Sequence, residues 1–345
     1  MLTIFRPLSG LAKFRGPNMQ NPTNASMSSR MGYFARLICV CAVNMGMRAS
    51  RLDAMRPREA SPSKWIPDAA LGQRILAEAE IHMTMQAKVK LPSGAVCGFE
   101  AFASPELDGE RIPADIFVEA IWAANVQSAF DWRVLEEGFK FAGAQGPSSD
   151  APISFNVSPV TMADEGFAER LFGLATKHGA SLSGMRIEVL EKMPLSISEQ
   201  ESMRGEISKA SKAGFRFSID DFGSGDADCG MLTLPAEELK IDAFYVRSLS
   251  DPHGERWITA IVRLAKSHGM SVCAEGVEHA WQADILSRLG VDVGQGYFWH
   301  KPAAALEAFA LSERKAPAIE RRLAQRRRRL ALPEARGSKT EPSLG

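Results

Sequence analysis

The chain has 345 residues, 45% of them hydrophobic, enough for a sizeable core and too many for global disorder. Its 41 Lys and Arg balance 41 Asp and Glu, which excludes a histone-like or wholly acidic chain. The balance is a cancellation: residues 1–60 carry nine basic groups and two acids, residues 313–345 ten and four, and residues 61–312 carry 22 and 35. An acidic centre of −13 lies between basic ends of +7 and +6.

Residues 1–68 are rich in Met, Arg, Ser, Asn and Pro without sustained periodicity, so they read as a basic, disordered leader. Met27, Met31 and Met45 are alternative starts within it. The apolar stretch Tyr33–Met47 contains Arg36 and Asn44 and falls short of the roughly 20 apolar residues of a spanning helix. The five cysteines, Cys39, Cys41, Cys97, Cys229 and Cys273, form no CxxC pair, which points to reduced thiols and a cytoplasmic protein.

Leu71, Ile75, Leu76 and Ala79 have helical spacing. Ile81–Leu91 and Ala95–Phe102 then flank the turn Pro92-Ser93-Gly94 and read as a hairpin. Helical patterns follow at 114–124 and 128–143, and an apolar run at Ile153–Val157. A helix is predicted over 163–178, a strand at Met185–Leu190, a helix over 196–213 and a strand at Phe215–Ile219. After a Gly-rich loop come Glu238–Ile241, a helix over 254–268, Ser271–Ala274, a helix over 279–289 and Val291–Gly296. Short buried strands alternating with helices mean βα units and a parallel sheet. At least five such units within 69–312 fit a closed α/β barrel better than an open sheet.

Glu100, Asn156, Glu188, Asp220, Asp221, Asp242 and Glu275 fall at or just beyond the C-terminal ends of the predicted strands. One acid there is ordinarily a helix cap or a solvated loop residue. A ring of them around one mouth is different, because buried like charges need cations. Hard oxygen ligands suit Mg²⁺ or Mn²⁺.

At these positions the sequence resembles the EAL family of bacterial cyclic-di-GMP phosphodiesterases. QAKVKLPSGAVCGFE over 86–100 tracks the family's opening, and Glu100-Ala101-Phe102 stands where its signature triplet reads EAL. Asn156 in SFNVSP, Glu188 and Glu191 in IEVLE, the Asp220-Asp221-Phe222-Gly223 run, Leu239-Lys240-Ile241-Asp242, Ala274-Glu275-Gly276-Val277-Glu278 and Gln295-Gly296-Tyr297 follow in family order. The resemblance covers roughly 71–310 and implies a modified (β/α)8 TIM-type barrel with an antiparallel first strand. It implies hydrolysis of cyclic-di-GMP to linear pGpG with two divalent cations, Mg²⁺ or Mn²⁺. Glu100, Asn156, Glu188 and Asp220 would hold one cation, and Asp220, Asp221 and Glu275 the other. Lys240 and Glu275 would be catalytic, Lys240 by orienting the attacking water or helping to deprotonate it. Gln86, Phe102, Glu191, Asp242, Glu278 and Gln295 would support the site or the substrate, and the family pattern suggests a homodimer.

Several of these positions have plainer readings. Asp242 reads equally as a helix cap, and Glu191 better as a loop-stabilising acceptor than as a ligand. Gly223 and Gly225 more naturally let the loop after the acidic pair turn sharply than cradle a phosphate. Three departures also matter. Ser104 stands at the family's phosphate-contacting arginine, a loss worth about 1.5–3 kcal/mol of substrate binding. The loop Ser224–Cys229 differs from the family's and is one residue shorter, and Ala87-Lys88 replace Pro-Ile after Gln86. An EAL regulator that binds cyclic-di-GMP or a protein partner without turnover is therefore the alternative. The basic helix-compatible run Ile319–Leu330 in the tail 313–345 reads as a solvated tail, or as a contact for nucleic acid or an anionic membrane surface.

Overall fold

The computed structural model describes residues 65–146, 150–190, 195–223, 229–251 and 253–310. The leader expected over 1–68, apart from Trp65–Asp68, and the tail expected over 313–345 lie outside those residues.

Helix α1 (Ala69–Glu78) starts where Asp68 accepts a hydrogen bond from the Leu71 N–H at 2.8 Å. Its last turn carries no basic residue, and Arg133 supplies that charge from elsewhere, donating to the carbonyls of Ile75, Leu76 and Ala79. Strand β1 (Glu80–Lys90) then pairs antiparallel with β2 (Val96–Leu107), giving the expected hairpin. β2 outruns the predicted end at Phe102 because Asp108 and Gly109, both at positive φ, form a two-residue turn into the short strand β3 (Glu110–Arg111).

Helices α2 (Ala114–Ala124) and α3 (Gln127–Gln145) lead to β4 (Ile153–Val157). The short helix α4 (Pro159–Ala163) comes next, and the helix predicted over 163–178 is α5 (Phe167–His178), which starts four residues late. Gly166, at φ 83°, breaks the pattern between them. Next come β5 (Met185–Leu190), α6 (Ile197–Ala213) and β6 (Arg216–Phe222). A reciprocal Ser196–Glu199 capping box starts α6, and Gly214 ends it. β7 (Glu238–Ile241), the short helix α7 (Ala243–Arg247), α8 (Gly254–Ser267), β8 (Ser271–Ala274), α9 (Ala280–Arg288) and β9 (Val293–Gly294) complete the βα series.

The strands from β2 onward in the order β2-β4-β5-β6-β7-β8-β9 are all parallel to their neighbours. β1 is antiparallel to both β2 and β9 and closes the sheet into an eight-stranded barrel. The resemblance predicted this arrangement.

Alternation along each strand divides the side chains. Phe99, Phe155, Ile187, Val189, Phe217, Ile219, Leu239, Ile241 and Val272 join one core with apolar residues of the surrounding helices, such as Leu135, Phe139, Leu171, Ile207 and Ile258. A smaller apolar cluster unites α1, α2 and the end of β2 through Ile75, Leu107, Phe117 and Ile121. The alternate residues face the barrel interior. No helix among the described residues is long and apolar enough to cross a membrane.

Candidate functional site

Barrel interiors are ordinarily filled by bulky branched apolar side chains. Here the strands deliver polar ones: Gln86 from β1, Glu100 from β2, Asn156 from β4, Glu188 from β5, Asp220 from β6 and Lys240 from β7. Glu275 and Gln295 follow immediately after β8 and β9. All lie toward the C-terminal ends of the parallel strands, where loops leave room for a ligand.

Lys240 organises this ring. Its Nζ lies 3.1 Å from Glu100 Oε2, 2.5 Å from Glu188 Oε2, 2.8 Å from Asp220 Oδ1 and 2.6 Å from Glu275 Oε1. Burial opposes a charge on Lys240, but the surrounding carboxylates outweigh it and hold its pKa well above the ordinary value. The carboxylates thus favour the charged ammonium form. Burial also opposes the charge on Glu188, but Lys240 and Lys88 overcome it and lower its pKa. Glu100, Asp220 and Glu275 shift the other way, chiefly through burial and then through repulsion by neighbouring carboxylates, Glu188 foremost for Glu100 and Asp220, and Asp220 for Glu275. Four acids around one lysine leave a surplus of negative charge.

That surplus suits cations. Ligand oxygens of Glu100, Glu188 and Asp220 lie within 4.8 Å of one another, and so do those of Asp220, Asp221 and Glu275. The two groups share Asp220, as a bridging carboxylate between two divalent ions requires. Adjacent residues of a regular strand point to opposite faces. Asp221 escapes that rule because its φ is 52° and the β6–β7 register is interrupted between Ile219 and Phe222. Burial, then Asp220, then Asp242 push the Asp221 carboxyl up to about 7. Gly223 follows at φ 88°, with the Tyr245 hydroxyl donating to its carbonyl at 2.6 Å. The Gly223 Cα lies so close to Tyr245 that a Cβ would sit 2.8 Å from the ring. The sharp turn expected here is present at Gly223; Ser224 and Gly225 lie outside the described residues.

The other predicted residues distribute as follows. Asn156 donates to Glu100 Oε1 at 2.8 Å. Gln295 Nε2 donates to Glu100 Oε2 at 2.8 Å and to Gln86 Oε1 at 2.9 Å, while Gln86 donates to the His300 carbonyl at 2.7 Å. The buried Gln295 Oε1 has no hydrogen-bond partner among the described residues. Phe102 and Ser104 continue along the Glu100 face of β2 and are half-buried. Asp242 caps α7, accepting from the Phe244 N–H at 2.6 Å. Glu278 is exposed, and its backbone N–H donates to Gln282. Glu191 lies outside the described residues.

Below the mouth is a second polar layer that sequence reasoning missed. Lys88 Nζ lies 2.7 Å from Glu188 Oε1, 3.1 Å from Glu238 Oε1 and 3.1 Å from Ser154 Oγ. Arg186 Nη1 lies 2.9 Å from the same Glu238 oxygen. Burial opposes the Lys88 charge, and Glu188 with Glu238 more than restores it. Each of Lys88, Ser154, Arg186 and Glu238 sits two residues from a mouth residue on its own strand. Period-two counting from Gln86, Asn156, Glu188 and Lys240 would have found all four.

The family model for the EAL domain matches residues 69–302 of this chain. The chain belongs to the EAL domain family. This EAL domain is 32% identical over 206 residues to the probable cyclic di-GMP phosphodiesterase PdeA of Escherichia coli, covering 59% of this chain and 28% of that protein. It is 27% identical over 263 residues to the cyclic di-GMP phosphodiesterase RocR of Pseudomonas aeruginosa, covering 74% and 64%. The chain thus spans less than two thirds of either relative's length. Among solved structures, the PaMucR phosphodiesterase in its c-di-GMP complex matches with a TM-score of 0.59 and 27% identity, over 69% of this chain and 96% of that one.

Proposed function

We propose that this EAL domain hydrolyses cyclic-di-GMP to linear pGpG. The observation that carries the reading is the pair of carboxylate groups sharing Asp220, with the Lys240 ammonium among four of their oxygens. In this reading Glu100, Asn156, Glu188 and Asp220 hold one divalent cation, and Asp220, Asp221 and Glu275 the other, Mg²⁺ or Mn²⁺ in each case. Such ions, when bound, lower the pKa of a shared water and offset charge on a phosphodiester.

The chain's own residues do the rest. In this reading Lys240, charged among the four acids, orients the attacking water by donating hydrogen bonds. Glu275 is the most solvent-accessible of the four acids around Lys240, at 18%, and faces the entering substrate as the second catalytic residue. Gln295 holds Glu100 from behind and is itself held by Gln86, Asp242 backs Asp221, and Phe102 shapes the wall beside the nucleotide base. Glu191 and Glu278 remain supporting candidates on the strength of the motif alone. A homodimer and a cytoplasmic setting for second-messenger signalling belong to the same reading.

Ser104 favours a second reading, in which the domain binds cyclic-di-GMP or a protein partner and regulates without turnover. Titration calorimetry with cyclic-di-GMP, followed by chromatography of the mixture, separates the two. Binding with conversion to pGpG supports hydrolysis, binding without conversion a receptor, and no binding in Mn²⁺ a protein-partner role.

A further inference from the structure

We propose that Lys88 is a fixed counter-charge that lowers the divalent-cation affinity of the site to which Glu188 contributes. The inference rests on the two-cation reading of the mouth and adds a residue that reading does not use.

Glu188 is fully buried and divided between two ammonium groups. Lys240 holds Oε2, which faces Glu100 and Asp220, and Lys88 holds Oε1, on the side away from the mouth. In the layer around Lys88, two cations, Lys88 and Arg186, contact the same acid, Glu238. Arg186 already takes the same Glu238 oxygen that Lys88 approaches at 3.1 Å, while Lys88 lies closer, 2.7 Å, to Glu188. The unmatched positive charge of this layer therefore bears on Glu188.

A divalent ion held by Glu188 would share that carboxylate with the Lys88 ammonium. Each then receives less of its charge, and the two cations repel in a site from which water is excluded. The orientation of Glu188 does not depend on Lys88 alone, because β5 sets its backbone and Lys240 holds its other oxygen. Removing the lysine charge thus changes chiefly the electrostatics. Glu238 works the other way: its carboxylate draws part of the Lys88 charge off Glu188.

The test is Mn²⁺ titration calorimetry at one pH on the full chain, beside Lys88→Met and Glu238→Gln, with circular dichroism to verify folding. A like charge a few ångströms from a divalent ion changes its affinity by roughly tenfold or more. Lys88→Met should tighten the Mn²⁺ dissociation constant at one site by about tenfold or more. Glu238→Gln should weaken it several-fold. Should Lys88→Met fail to fold, Glu238→Gln decides alone. Unchanged or weaker binding in Lys88→Met, or unchanged or tighter binding in Glu238→Gln, overturns the role of Lys88. A folded wild type that takes up no Mn²⁺ overturns the two-cation reading and this inference together.

Discussion

Lys240 and Glu188 face each other across the barrel interior from β7 and β5, Nζ to Oε2 at 2.5 Å, with neither side chain reaching solvent. The pair ties together what the strands deliver: Glu188 joins the mouth to the layer beneath it, and Lys240 joins Glu188 to three other acids.

Removing the lysine leaves four carboxylates around an empty centre. Breaking a buried ion pair from one side costs about 3–5 kcal/mol. Lys240→Met in chelator should therefore unfold well below the wild type in a thermal melt. Added Mn²⁺ should recover part of that loss, because ions bound only to the folded state stabilise it. A variant as stable as the wild type in chelator would contradict the geometry around Nζ.

Ser104 follows Glu100 and Phe102 on one face of β2, opposite His82 in the β1 ladder. The family motif carries an arginine at this position. Ser104→Arg restores a charge-assisted phosphate contact and should lower KM for cyclic-di-GMP by about one to two orders of magnitude. An unchanged KM in steady-state assays would mean that the side chain at 104 does not reach the substrate.

Asp131 anchors the turn that follows Asn156. Its Oδ2 accepts from the Ser158 N–H at 2.9 Å and from the hydroxyls of Ser158 and Thr161, each at 2.6 Å. Asp131→Ala leaves these donors unmet and should cost about 1–3 kcal/mol in urea unfolding, with Asp131→Asn milder because an acceptor remains. Equal losses in the two variants would refute the hydrogen-bond account.

On the outer surface, Glu136 accepts from Lys177 and lies 2.7 Å from His178. The hydrogen bond from Lys177, aided by His178, lowers the Glu136 pKa despite partial burial. A depressed carboxyl contributes stability above its unfolded value, roughly 4.3, and loses it as pH falls through the folded value. Urea midpoints should thus drop less between pH 6 and pH 3 in Glu136→Gln than in the wild type. An equal drop would assign the acid limb to other groups.

The mouth was legible because chemistry and position coincide there. Glu100, Asn156, Glu188, Asp220 and Glu275 are polar where a buried strand ends, and period and motif lead to the same residues. Asp242 was readable two ways, and the structure has it capping α7 while standing beside Asp221. The late start of the helix predicted from 163 turned on one backbone choice at Gly166, which apolar periodicity does not register. Lys88 and Glu238 stayed hidden for a different reason. In isolation each looks like a solvated charge; strand period puts each on the interior face, and the closed barrel then makes them partners.

The central claim is that the acids around Lys240 form a hydrolytic site. The most direct measurement is cyclic-di-GMP turnover in Mn²⁺ by the purified full chain beside Glu100→Ala and Lys240→Ala, with pGpG quantified by chromatography. The account predicts pGpG from the wild type, its loss in chelator, and a fall of at least two orders of magnitude in both variants. Equal residual rates in all three proteins would contradict it.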